Sequence, residues 1–493
     1  MKPTDNHIRP GFFLLIALIS ALALAISCST GGHGKSAAQS PGKTAGDDDD
    51  SGGSFDDDAG AGDPYDGMRA SGKTIDELLA ISSHIDRGTG QNWTRDFEIE
   101  KLSEAGVKLL RTDFSWDAIE PSQGDWHYEG FDVLVDDCAA AGIKVDALLG
   151  FGVGWAMPDG TDDSIDPAVF AEFAGHTAAH YAGRIPFYEI WNEENADRFW
   201  SPKPNPARYG AMLVAAYKAV HDSDPNARVV FGGLSGDWLR AFEPNGLWKF
   251  LTDVAKAIPD ICNSFDLMAI HPYTFAQQFS PEMPFDAGGY SYSDYLDLIS
   301  QARFLLGEIG CPDKPLALTE TGWPSLFMGV DVQGDYLVRS LLLASSVHID
   351  SYYWYTFWDG EGHASLPTED YFGLFTWPGG EIWAKPSYLA LHAAHELLGT
   401  SQYAGDLGAA LSWPWDEHGH AFIDQDGAWT IALWHSYPAV TGLPLMVSVP
   451  APSGTTGNWT LYKQDGSWAD AGHAGAPVRV QLSGSVVYLK FAQ

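Results

Sequence analysis

The chain has 493 residues, 45% of them hydrophobic, which is enough for two or three domains and a large core. Its formal net charge of -37 excludes nucleic acid as a partner, because phosphates would be repelled. Aromatic residues reach 13%, with 19 Trp, more than a core needs, so some rings are expected to line a binding surface.

At the N-terminus, Lys2 and Arg9 precede the apolar run GFFLLIALISALALAIS, and Cys28 follows at once. This reads as an export signal over residues 1–28. The ending AISC fits a bacterial lipoprotein, with Cys28 lipidated as the mature N-terminus and the protein facing the periplasm or the cell exterior. Ala25 stands where Leu is usual, and an ordinary signal peptide or an uncleaved anchor is the alternative. Residues 29–70 are Gly, Ser, Ala and Asp with almost nothing to bury, which predicts a disordered spacer. Its runs Asp47–Asp50 and Asp56–Asp58 read as solvated acids rather than a calcium site. Of the other cysteines, Cys138 falls in an apolar helical pattern and reads as a small core residue. Cys262 and Cys311 precede neighbouring strands and could pair.

Apolar strand-like runs follow, at 79–85, 107–113, 143–149, 186–191, 227–234, 265–271, 315–320 and 351–358. Amphipathic segments such as TRDFEIEKLSEAG and PARYGAMLVAAYKAVH separate them. Continuous apolar strands alternating with helices predict a parallel sheet covered on both faces. Eight such repeats fit an α/β fold, a (β/α)8 TIM barrel over residues 75–398, with an open doubly wound sheet as the competing topology. Beyond Gly399 the pattern changes to short alternating strands, which predicts a small antiparallel β-sandwich over residues 400–493.

In a barrel of this kind the polar residues that end the strands share one mouth, where active sites lie. Here they are His84, Arg111 with Asp113, Asn192 with Glu193, His271 with Tyr273, Glu320, and Trp358. Glu193 ends the fourth run and Glu320 the seventh, on opposite sides of an eight-stranded mouth. Paired carboxylates around a sugar are what glycosidic hydrolysis needs, one to protonate the leaving oxygen and one to attack the anomeric carbon. Arg111 is placed to keep Glu320 ionised, His271 and Tyr273 to orient it, and Asn192 to hydrogen-bond a sugar 2-hydroxyl. Glu193 would need a raised pKa, expected from Trp-rich surroundings and from the charge of Glu320. Trp116, Trp155, Trp323 and Trp358, just beyond strand ends, are expected to stack on sugar faces.

Several of these stretches carry a resemblance. EIWNEEN, AIHPYTF, LALTETGWPS and YYWYTFWDG, with the region VKLLRTDFSWDAIEPSQGDW, resemble the strand motifs of clan A glycoside hydrolases over about residues 80–395. The nearest likeness is to family 39, which includes β-xylosidases and bacterial exopolysaccharide endoglycosidases; families 5, 17 and 53 share the core. The resemblance implies a retaining double displacement on a β-linked glycan, with Glu193 as acid/base and Glu320 as nucleophile, and no cofactor. It also implies that Asn192, Arg111, His271, Tyr273 and Trp358 hold the attacked sugar. Glu194 stands where Pro often follows the catalytic Glu, and would reopen the acid assignment if it pointed inward.

Other motifs carry less. LLGFGVGW lacks the G-x-G-x-x-G spacing, and HTAAH (His176, His180) lacks the Glu of H-E-x-x-H and reads as a solvated helix face, so no metal site is expected. A glycan-binding lipoprotein without turnover, and a transglycosylase using the same residues, are the competing functions.

Overall fold

The computed structural model describes residues 63–85, 92–236, 246–274, 280–282, 285–287, 290–292, 295–360, 368–377, 379–436 and 445–493. The export signal, Cys28 and the spacer up to residue 62 lie outside the described residues.

In chain order the first strands are β1 (Ser71–Thr74), β2 (Leu79–Ser82), β3 (Leu109–Ser115), β4 (Lys144–Gly150), β5 (Phe187–Asn192), β6 (Arg228–Ser235) and β7 (Leu267–His271). A short hairpin, β8 (Phe285–Ala287) and β9 (Tyr290–Tyr292), follows, then β10 (Leu316–Thr321) and β11 (Tyr352–Tyr355). Eight of these close into a barrel in the order β10-β11-β2-β3-β4-β5-β6-β7. All pairings within it are parallel, and the β10–β7 ladder closes it. Each predicted apolar run supplies one barrel strand, so the open sheet is excluded.

The helices between strands form for local reasons. Asn205 caps Pro206–Ser223, its side chain accepting from Arg208 N at 3.2 Å, with Pro at the first helical position where no N–H is needed. That helix buries Tyr209, Met212, Leu213, Ala216 and Val220, an i, i+3, i+4, i+7 stripe turned to the barrel wall. Asp166 caps Pro167–His180 in the same way, accepting from Ala168 N at 2.9 Å. On this helix His176 stacks on Trp126 with ring centres 3.8 Å apart, and His180 bonds Asp132 at 2.8 Å. The HTAAH pair is therefore packed against aromatic rings rather than simply solvated. Cys262 and Cys311 form a disulfide with Cα atoms 5.4 Å apart, just ahead of the paired strands β7 and β10, and Cys138 is buried and free.

Inside the barrel the alternation of strand side chains stacks small and polar residues in layers. Ala80, Leu109, Phe187, Val230, Leu267, Ala269, Ala317 and Tyr353 fill the lower part. Above them lie charged groups in mid-strand: Arg111, Asp146 and Glu189, all under 4% exposed. Glu189 grips the Arg111 guanidinium with both oxygens, at 2.7 Å from Nε and 3.0 Å from Nη2. Asp146 accepts from the Tyr353 hydroxyl at 2.9 Å. Burial, then the charge of Glu189, pushes the Asp146 carboxyl up to about 7.

The C-terminal strands are β12 (Gln402–Asp406), β13 (Glu417–Ile423), β14 (Trp429–His435), β15 (Leu445–Val449), β16 (Asn458–Tyr462), β17 (Trp468–His473), β18 (Val478–Leu482) and β19 (Val487–Phe491). They form an antiparallel sheet of order β1-β12-β13-β14-β19-β16-β17, and the ribbon β15-β18 covers one of its faces. Ile431, Leu433, Val447, Val449, Val480, Leu489 and Phe491 make the core between the two layers. Two features differ from expectation. β1 precedes the barrel in sequence yet pairs with β12. Tyr65, inside the stretch assigned to the spacer, is 5% exposed in the sheet core and its hydroxyl donates to Pro450 O at 2.7 Å, so the spacer ends earlier than residue 70. The other sheet face packs on the barrel: Phe422, Trp434 and Tyr488 join the barrel's own core. A buried polar knot marks this seam, where Glu282 binds Arg339 and accepts from Trp434 Nε1 at 2.8 Å.

Candidate active site

Both glutamates sit where strand geometry is broken. Strict alternation would turn Glu193 away from the face used by Asn192. Trp191 and Glu193 instead take left-handed backbone, with φ of 70 and 46, which brings Asn192 and Glu193 to the same mouth. Packing holds this strained turn: the Trp191 indole donates to Phe199 O at 2.8 Å, and Glu193 N donates to Gly233 O at 3.1 Å. On β10 the register with β11 shifts between Leu318 and Thr321, so Thr319 and Glu320 both reach inward.

The two carboxylates meet through His271. One atom from each of Glu193, His271 and Glu320 lies within 4.8 Å of the other two. His271 Nδ1 stands 3.0 Å from Glu193 Oε1 and 3.6 Å from Glu320 Oε2, while Nε2 stands 3.2 Å from Thr319 Oγ1. Gly233 is required here, since a Cβ on it would come within 2.0 Å of the imidazole. Glu320 takes one donor on each oxygen, Arg111 Nη1 at 2.8 Å on Oε1 and Tyr273 Oη at 3.0 Å on Oε2. Arg111 Nη2 also donates to Asn192 Oδ1 at 2.7 Å. Arginine has only donors, so this bond fixes the amide and leaves Asn192 Nδ2 as its donor away from Arg111. The trio's spacing would also suit a cation. Each carboxylate, however, already faces a guanidinium, and we assign the three residues to hydrogen bonding.

The electrostatics of Glu193 run against expectation. Burial disfavours its charge, but the hydrogen bond and charge of His271, then Arg198, hold its carboxyl down at about 2. Arg198 Nη2 lies 3.3 Å from Glu193 Oε2. Arg111 keeps its charge: burial opposes it, and Glu189 with Glu320 more than reverses that.

Glu194 does not compete for the mouth. A Cβ on Gly232 would meet Glu194 Oε2 at 2.5 Å, whereas one on the next residue would meet His271, and successive residues face opposite sides. Glu194 therefore points through the outer wall toward helix Pro206–Ser223. It is fully buried, and neither of its oxygens has a hydrogen-bond partner among the described residues. The nearby Tyr209 hydroxyl donates to Ile190 O at 3.1 Å and accepts from Gly232 N at 2.8 Å. Burial raises the Glu194 carboxyl well above its ordinary range, which favours its neutral form. The folded state thus keeps a proton that the unfolded state releases, and stability falls as pH rises above the ordinary carboxylate value. Glu194→Gln should be more stable than the parent at pH 7 and lose less stability as pH rises above the ordinary carboxylate value, measured by urea unfolding.

The aromatic expectations need correction. Trp116 is 0% exposed, stacked on Phe173 at 5.1 Å, and its indole donates to Glu120 Oε2 at 2.8 Å; no face is left for a sugar. Trp323, 1% exposed, is core as well, donating to Thr274 Oγ1 at 3.0 Å. Trp358 lies beyond the end of β11, stacked on Phe97 and donating to the buried Glu98 at 2.9 Å, so it braces helix Asn92–Glu104. Trp155 is half-buried and tied to Glu120 O at 2.9 Å, edge-on to Trp116. His84 is on the rim, exposed, with Nδ1 2.9 Å from Asp113 Oδ2 and Nε2 3.5 Å from the Tyr355 hydroxyl.

Four groups join the site that the strand ends did not announce. Glu189 lies beneath it as the partner of Arg111. Tyr355 ends β11, and Arg198 follows Glu193. Glu369, in the turn Glu369–Tyr371, has its carboxyl raised by burial and interacts with Arg198, Glu320, Glu193 and His84. Of these only Glu189 carries a sequence signal, an acid inside an apolar strand.

A family model described as Glyco_hydro_42, beta-galactosidase, matches residues 84–152, the span from His84 through β4. No curated protein matches the chain. Among solved structures, a family 39 glycoside hydrolase from the gut symbiont Bacteroides cellulosilyticus WH2 superposes with TM-score 0.68 at 21% identity, over 85% of this chain and 82% of that one. A family 39 beta-xylosidase from Caulobacter crescentus gives TM-score 0.61 at 19% identity, over 86% and 98%. The family 39 enzyme from Xanthomonas axonopodis pv. citri gives 0.61 at 18%, over 87% and 96%. The barrel with its trailing antiparallel sheet is thus the fold of family 39 glycoside hydrolases in clan A, as the strand motifs implied.

Proposed function

We propose that the chain is a retaining glycoside hydrolase acting on a β-linked glycan outside the cytoplasm, with Glu320 as nucleophile and Glu193 as acid/base. The observation that carries this reading is the approach of the two carboxylates, within 4.8 Å around His271. Retaining pairs stand about 5–5.5 Å apart, whereas inverting pairs leave about 6.5–9.5 Å for a water. Arg111 and Tyr273 fix Glu320 from both sides, as a group that must attack one carbon needs. In the first step a Glu320 oxygen bonds the anomeric carbon as the glycosidic C–O bond breaks, and Glu193 gives its proton to the departing oxygen. Water then attacks the glycosyl ester, returning a proton to Glu193 and freeing Glu320. Asn192 Nδ2 is the donor available to the 2-hydroxyl. The Caulobacter relative is a beta-xylosidase, which supports a β-linked substrate.

Export rests on the N-terminal run and on Cys28 as lipid anchor. The Cys262–Cys311 disulfide fits an oxidising compartment. Among the described residues no helix is long and apolar enough to cross a membrane.

The stereochemistry of the product tests the mechanism. Hydrolysis of an aryl β-glycoside followed by proton NMR should release the β-anomer first, with the α-anomer appearing only by mutarotation. Initial release of the α-anomer would sink the retaining assignment.

A further inference from the structure

The mouth holds two arginines in contrasting situations. Arg111 is 3% exposed and donates five hydrogen bonds, to Ser82, Glu189, Asn192 and Glu320. Arg198 has a side chain 52% exposed and one hydrogen bond among the described residues, the 3.3 Å contact with Glu193 Oε2. Its guanidinium rests 4.4 Å above the Phe199 ring, which stacks in turn on Phe151. A cation lying on an aromatic face and tied at one atom can turn away at little cost.

Where it is tied matters. Glu193 Oε1 is engaged by His271 at 3.0 Å, so Oε2 is the oxygen left to reach a glycosidic bond. A general acid must come within about 2.6–3.2 Å of the oxygen it protonates. Arg198 Nη2 already stands at that oxygen. On the reading of Glu193 as acid/base, substrate and Arg198 compete for one position.

We infer that Arg198 is a displaceable clamp on Glu193: it occupies Oε2 in the empty cleft, leaves when the departing sugar's subsite fills, and returns once hydrolysis is complete. The clamp matches the two jobs of Glu193. While Arg198 is away, Glu193 takes a proton from solvent and gives it to the glycosidic oxygen as the C–O bond breaks. With the leaving group gone, the attacking water takes its place at Oε2 and passes Glu193 a proton, and Arg198 then returns as the product leaves, restoring the carboxylate and releasing that proton to solvent. One proton is taken up and one released per cycle, and no other reactant is needed. The remaining groups around Glu193 stay in place throughout. They are His271 on β7 with Tyr273 beyond it, Glu320 on β10, Glu369 after β11, and Glu194 behind the wall. Arg198 itself is balanced by Glu193, Glu369 and Glu320. Arg198 is thus a positioning residue whose effect on turnover passes through Glu193.

The test compares the parent with Arg198→Ala and Arg198→Lys, using 4-nitrophenyl β-xyloside, β-glucoside and β-galactoside. In the parent the basic limb of kcat, where the cleft is full, should lie above that of kcat/KM, where it is empty. Arg198→Ala should raise the kcat/KM limb by about one pH unit and leave the kcat limb in place, while Arg198→Lys stays near the parent. Superimposed profiles in parent and alanine variant would overturn the clamp. A readout without turnover is the titration of the 13C-labelled Glu193 carboxyl, assigned by its loss in Glu193→Gln. It should move upward in Arg198→Ala, and no movement overturns the clamp even if none of the glycosides is cleaved. Failure of the site assignment on which the clamp rests is seen separately, as full turnover in Glu320→Ala.

Discussion

Glu320→Ala should lose turnover of an aryl β-glycoside by roughly four orders of magnitude or more, since the group that forms the covalent intermediate is gone. The fold should survive, because Glu320 is at the open end of β10 and Arg111 keeps its two-oxygen pairing with Glu189. Added azide makes the result specific. A small anion in the space of the missing carboxylate would attack the anomeric carbon from that side once, so Glu320→Ala should yield the α-glycosyl azide. Glu193→Ala keeps the nucleophile and opens the other side, so azide should there yield the β-glycosyl azide. Exchanged products would exchange the two roles, and an active Glu320→Ala would remove the proposed site altogether.

The second large effect lies one layer deeper. Glu189→Ala should destabilise the barrel by about 3–5 kcal/mol, the usual cost of stripping one partner from a buried ion pair. Arg111 would then have Glu320 as its remaining carboxylate partner, and Gly233 N would lose the acceptor it reaches at 2.9 Å. Asp146 should respond as well. With the charge of Glu189 gone, its carboxyl should fall below about 7 and supply part of the missing negative charge. Urea unfolding measures the stability loss. The kcat of the folded variant measures how far Arg111 has been drawn from the nucleophile. Glu189→Gln separates shape from charge: it keeps one oxygen for Gly233 N but cannot balance the guanidinium. A Gln variant as stable as the parent would show that Arg111 is balanced by other groups.

These two layers were not equally legible in the sequence. The barrel strands were, because each is a continuous apolar run covered on both faces and followed by an amphipathic helical segment. The glutamates at the ends of the fourth and seventh strands stood out for the same reason, as abrupt charge after apolar residues. Glu189, Asp146 and Arg111 carried a quieter signal: charges inside apolar strands that fold only if they pair with one another. The tryptophans misled because a ring just past a strand end looks the same in sequence whether it faces a sugar or a helix. Trp116 and Trp358 were decided by buried carboxylates that accept their indole N–H groups, Glu120 four residues along the chain and Glu98 on the helix Asn92–Glu104. Arg198 and Glu369 sit in loops, where charge is ordinary. β1 was illegible because SGKT has neither apolar content nor alternation, and its pairing partner lies at the other end of the chain.

That pairing has a consequence for how the protein is made. Ser71 Oγ donates to Tyr403 O across 332 positions of sequence, so β1 is synthesised long before the strand that receives it. At about 5–20 residues per second the wait is roughly 15 to 70 s. A strand made late thus fastens one made early. A chain whose synthesis halts after Leu398 would have all its barrel strands, yet Arg339 would lack the backbone acceptors of Ser436 and Gly484, and β1 would be left as a bare edge. The C-terminal sheet thus completes contacts that the barrel segment alone cannot make.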